Sequence, residues 1–121
     1  MPEDYRYTLT REWEPPYRFE RIEQLLGATA KHSLASFKEI QTDIVDSYAV
    51  ELKRYLIAAA PFPGADAAVA GRIPNWDGAM NAGRPEPLIF SAWARALARR
   101  THGDELGVRF ASSWVYRTES T

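Results

Sequence analysis

A chain of 121 residues, 45% hydrophobic and 12% aromatic, can bury one core of ordinary domain size and has no room for two. With 15 basic residues against 16 acidic ones and a pI near 6.1, it has no overall field to gather nucleic acid or an anionic membrane surface. Lacking cysteine, it can form no disulfide, thiolate metal site or cysteine nucleophile, while its redox compartment stays open. The opening stretch MPEDYRYTLTREWE is acidic and polar where an export signal needs a basic run followed by an apolar one. No apolar run approaches a membrane span, so a soluble chain without an export signal is expected.

In chain order, YRYTLT alternates and contains β-formers, which reads as one short N-terminal extended segment with no second run to pair with. Pro15 and Pro16 stiffen the approach to a short helix over residues 18–26, where Ile22, Leu25 and Leu26 recur at helical spacing. Gly27 suits a left-handed stop. Ser33 offers an N-cap to LASFKEIQTDIVDSYAVELKRYLIAAA, read as one long helix over residues 34–60. Its stripe comprises Phe37, Ile40, Ile44, Tyr48, Leu52, Tyr55 or Leu56, and Ala59. PFPG ends it, and a short alanine-rich helix over residues 65–72 follows. Residues 74–87, PNWDGAMNAGRPEP, form a loop anchored by Trp76. A further helix over residues 88–100 turns Ile89, Phe90, Trp93, Ala96 and Leu97 inward and Arg95, Arg99 and Arg100 outward. HGDELG interrupts, and residues 108–116 are weakly helical. The fold class is therefore mainly α, four to five helices with long loops in a single unit over residues 1–121.

Self-contained chemistry is sparse in these residues. His32 and His102 stand far apart and lack a metal-ligand spacing, so cap or surface roles are expected for both. Asp43 and Asp46 fall on one helix face, where solvation is the ordinary reading. Gly64, Gly71, Gly78 and Gly83 follow no phosphate-loop spacing. The basic residues Arg95, Arg99 and Arg100 lack interleaved aromatics and are partly balanced by Asp104 and Glu105, so neither nucleic acid nor membrane is expected as a partner.

YRYTLTREWEPPYRFERIEQLL, HSLASFKEIQTDIVDSYAVELKRYLIAA, NWDGAMNAG, LIFSAWARALAR and DELG occur in this order and spacing. Together they resemble the penicillin acylase (penicillin amidase) family, in a helical part of its large β-chain. The tail RFASSWVYRTEST departs from that pattern. The resemblance implies a fragment of an αββα N-terminal nucleophile hydrolase that cleaves a linear amide and releases an acyl group from an amine-bearing substrate. In that family the attacking serine is a chain N-terminus, its own α-amine is the base, and a backbone N–H with an asparagine side chain forms the oxyanion hole. All of these belong to family segments upstream of the region resembled, so the chain alone is expected to be inactive.

Arg18 of PPYRFERI occupies the position of the family's arginine that supports the active site near the nucleophile's amine, which makes it the one candidate catalytic residue. The resemblance further implies calcium in the parent enzyme, often periplasmic or secreted, although no ligand can be matched here and Asp4 is a weak candidate. It also implies a complementary acylase chain, or self-association, to cover the helices' apolar side. The rival reading is a non-catalytic helical interaction module. Acyl and amine specificity reside in residues outside this sequence.

Overall fold

The computed structural model describes residues 6–8 and 14–119, with the side chains of Ala65 and of residues 108–119 outside that description. Five helices occupy it: α1 (Tyr17–Gly27), α2 (Leu34–Gln41), α3 (Ser47–Ala58), α4 (Ala65–Ala70) and α5 (Glu86–Glu119). The fold is mainly α, as the helical periodicity predicts. Residues 6–8 form no strand, and the remainder of the expected extended segment lies outside the described residues.

The expected long helix over residues 34–60 is two helices, and the residues between them show why. The Thr42 hydroxyl donates back to the carbonyls of Lys38 (3.0 Å) and Glu39 (3.2 Å), closing the last turn of α2. Asp43 Oδ1 accepts from the Val45 amide at 3.3 Å, and Asp46 caps α3 by accepting from the Ala49 amide at 3.2 Å. Short polar side chains that satisfy backbone groups locally thus outweigh an apolar stripe that runs continuously across the break.

The extended connector is then paired. Val45 and Ala79 form an isolated antiparallel bridge, with the Asp46 amide donating to the Gly78 carbonyl at 3.0 Å and the Met80 amide to the Ile44 carbonyl at 2.8 Å. The WDG loop is therefore a clamp on this connector. Asp77 Oδ1 accepts from the Ala79 amide at 3.0 Å, Trp76 Nε1 donates to the Ala79 carbonyl at 3.0 Å, and the Lys53 ammonium donates to the Trp76 carbonyl.

Ala49 and Leu56 of α3, Ile73 and Trp76 of the loop, and Phe90 of α5 form the core, with Leu52, Phe62, Met80, Ile89, Trp93 and Ala94 packed around it. Trp76 is the anchor expected from the sequence, 1% exposed, with its ring 5.5 Å from that of Phe90. Ala96 and Leu97, expected inward, are exposed, because packing of α5 against the core ends at Trp93 and Ala94.

Gly78 has φ +87, and a Cβ there would lie 2.4 Å from Val50 Cγ2 and 3.3 Å from the Asp46 carbonyl. Gly78→Ala is accordingly expected to cost roughly 2–4 kcal/mol, combining a left-handed backbone penalty with overpacking. Urea denaturation checks this, and a loss below about 1 kcal/mol would show that the clamp yields easily.

Two helix ends differ from expectation. Gly27 is the last residue of α1 and is not left-handed; the following Ala28 stays right-handed (φ −66). The Leu26 carbonyl is taken up instead by His32 Nε2, 2.8 Å away. HGDELG interrupts the helix as expected, but only at its last residue, Gly107 (φ 70, ψ 156), with helical backbone continuing through the residues before it. One interior glycine such as Gly103 costs a helix only about 1 kcal/mol, too little to end it. Helical backbone resumes after the kink, as expected for residues 108–116.

Candidate functional site

The first turn of α1 carries the candidate residue. Pro16 is its N-cap residue and supplies no side-chain hydrogen bond, while Glu20 places a carboxylate in the first turn, where the helix dipole favours it. Tyr17 turns inward onto α3, edge-on to Tyr48 with ring centroids 5.3 Å apart. Burial, with Glu51 beside it, pushes the Tyr17 phenol up. Burial, with Asp46, does the same to Tyr48. Both phenols are therefore protonated at neutral pH and serve as packing groups rather than bases.

Arg18 lies on the solvent side of this turn. It is exposed and has no hydrogen bond or ion pair among the described residues. Its neighbour Arg21 is the opposite case, although the sequence offers no reason to separate the two. Arg21 Nε donates to Asp43 Oδ1 at 3.0 Å and Nη2 to Asp43 Oδ2 at 2.6 Å, a two-toothed fork, while Nη1 donates to Gln24 Oε1 at 2.8 Å. The side chains of the pair are only 21% and 18% exposed, so water screens them weakly. Asp43, expected to be a solvated helix residue, thus ties α1 to the connector; Asp46 is an N-cap. The readable signal was the cluster T-D-x-x-D inside an otherwise helical pattern, since such residues favour caps and turns over helix interiors.

The Arg21 guanidinium holds the Asp43 carboxyl below its ordinary range, assisted by the Val45 amide. Because the folded-state value is lowered, this stabilisation is complete above the unfolded carboxyl value near about 4 and is lost as pH falls through the folded value. Glu86 acts in the same direction, held down first by its own backbone amide at the start of α5 and then by Arg84 at 3.1 Å. Acid titration below about pH 4 should therefore undock α1 in the native chain. In Asp43→Asn that part of the pH slope should be absent, and an unchanged acid midpoint in the variant would contradict the assignment.

The histidine and serine of this region are capping groups. His32 Nε2 faces a carbonyl and so carries the proton in the neutral ring, leaving Nδ1 3.3 Å from Ser36 Oγ. Ser36 is already engaged in a reciprocal cap: its oxygen accepts from the Ser33 amide at 2.8 Å and donates to the Ser33 carbonyl at 2.9 Å. His32 thereby joins the end of α1 to the start of α2, the cap role expected of it.

Among the described residues no three His, Cys, Asp or Glu side chains gather to hold a metal ion. Asp4 lies outside the described residues. No helix among the described residues is long and apolar enough to cross a membrane. What remains is a guanidinium held on a fixed helix turn, a group suited to supporting a reaction centre rather than performing bond cleavage.

The chain matches the family model for penicillin amidase over residues 1–121. It is similar to the acyl-homoserine lactone acylase QuiP of Pseudomonas putida, 29% identical over 128 aligned positions that take in 94% of this chain and 16% of that protein. Its likeness to the acyl-homoserine lactone acylase QuiP of Pseudomonas aeruginosa is 27% over 124 positions, 91% of this chain and 15% of that protein. The chain therefore spans about a sixth of the length of the curated relatives it matches. No solved structure matches it. Matching the family model over residues 1–121, this chain belongs to the penicillin amidase family.

Proposed function

We propose that this chain is the helical support of an acylase whose serine-led part lies elsewhere, and that the complete enzyme hydrolyses the amide of an N-acyl homoserine lactone or a related acylated amine. In that reaction the serine oxygen adds to the amide carbonyl while the serine's α-amine takes its proton and returns it to the departing amine. Water then cleaves the acyl–serine ester, releasing the carboxylic acid and restoring the serine. Arg18 contributes a fixed positive charge near the nucleophile's amine and the oxyanion. The observation that carries this reading is the contrast within α1: Arg21 is engaged by Asp43 and Gln24, while Arg18, three residues earlier, is exposed. A guanidinium without a partner among the described residues is available to one supplied from another segment.

A second reading, a non-catalytic helical interaction module, is favoured by the apolar groups left in solvent. Leu34 is 75% exposed, Phe19 63% and Phe37 47%. Such patches are commonly covered by association, so the chain is expected to dimerise or to bind a complementary acylase chain. Light scattering at micromolar concentration tests this, with a compact monomer counting against it. An activity assay tests what the two readings share. The isolated chain should release no homoserine lactone from its octanoyl or dodecanoyl amides above background, and turnover through an acylated serine of this chain would overturn its assignment as a supporting part.

A further inference from the structure

Helix α1 buries no residue completely, its N-cap makes no side-chain hydrogen bond, and Phe19, Ile22 and Leu26 are largely exposed. Apolar burial therefore fixes it poorly, and polar contacts must set its orientation. We propose that Arg21 and Asp43 are positioning residues for Arg18: their fork fixes the rotation of α1 about its axis and so the direction in which the first turn presents the Arg18 guanidinium. The inference rests on the reading in which Arg18 serves an acylase active site.

The geometry favours a positioning role over an ordinary surface ion pair on three grounds. The nitrogens Nε, Nη1 and Nη2 of Arg21 each donate to a side-chain acceptor, so its own orientation has no freedom. A two-point fork restrains rotation where a single contact would leave a pivot. Asp43 is itself immobilised, its Oδ1 accepting from the Val45 amide in a connector hydrogen-bonded to the Gly78 carbonyl and the Met80 amide. From the buried Trp76, through the WDG clamp, the connector and the fork, an unbroken series of contacts reaches the turn that carries Arg18. The pairing also has an electrostatic consequence. Arg18 and Arg21 are neighbours at i, i+3, and neutralising Arg21 removes a like charge from beside Arg18.

Two measurements test the proposal. In the chain alone, Asp43→Asn and Arg21→Lys are compared by NMR. The Tyr17–Tyr48 ring contact should be lost and α1 amide exchange should quicken at least about tenfold, with Trp76 and Phe90 signals unchanged. Arg21→Lys keeps the charge and loses the fork, so it serves if the other variant folds poorly. In the complete enzyme carrying this segment, either variant should lower kcat about tenfold or more with KM within about twofold, the pattern of a displaced transition-state group. The charge swap Arg21→Asp with Asp43→Arg should restore part of it. If Arg18→Ala abolishes turnover while Asp43→Asn and Arg21→Lys leave kcat unchanged, the positioning role is overturned and the active-site role of Arg18 stands. If Arg18→Ala also leaves kcat unchanged, the underlying reading fails instead.

Discussion

Trp76→Ala is expected to remove most of the stability of this chain, about 3–5 kcal/mol, which is comparable to the whole stability of a small domain. The size follows from what the side chain does. Its ring is fully buried between α3 and Phe90 of α5, so truncation leaves a cavity that an already small core cannot close. Its Nε1 donor satisfies the Ala79 carbonyl beside the one antiparallel bridge found among the described residues, so the loss also loosens the connector that carries Asp43. Trp76→Phe separates the two effects. It keeps most of the burial and removes one of two donors to the Ala79 carbonyl, which still accepts from the Asn81 amide at 2.9 Å, for an expected loss nearer about 1 kcal/mol. Thermal and urea melts followed by circular dichroism decide the matter, and a change below about 1 kcal/mol for Trp76→Ala would move the core elsewhere.

The second large effect concerns rate rather than folding. In the complete enzyme that carries this segment, Arg18→Ala should lower kcat by about 10²–10³, the scale of removing one preorganised charged donor from a reacting centre. Stability should shift by no more than about 0.5 kcal/mol, because Arg18 is exposed and has no partner among the described residues. Arg18→Lys should fall between wild type and alanine, since the charge survives and the planar fork does not. The paired control is Arg21→Ala, which strands the Asp43 carboxylate and should cost about 1.5–3 kcal/mol of stability. Comparable losses of stability from Arg18→Ala and Arg21→Ala would make both residues structural.

Helix existence was legible because the apolar spacing of Ile40, Leu52, Leu56, Phe90 and Trp93 dominates its neighbourhood, and Trp76 stood out as the large aromatic of a proline- and glycine-rich loop. The break at Thr42–Asp46 was not legible in the same way. Periodicity continues through it, and what ends the helix is local hydrogen bonding by Thr42, Asp43 and Asp46, with the bridge to Ala79 pairing the connector that results. The same limit applies to the site. Arg18 emerged from family resemblance alone, and nothing in YRFER distinguishes it from Arg21. The distinction depends on Asp43, 22 residues further on, and so on the very helix break that periodicity conceals.

Support of a serine-led reaction by this helical unit is measured as release of homoserine lactone from an N-acyl homoserine lactone by the serine-led part alone, by this chain alone, and by the two combined. Activity confined to the combination, and lost when the added chain carries Arg18→Ala, is the predicted result. Full activity of the serine-led part alone, or an inactive combination in which the two demonstrably bind, would contradict it.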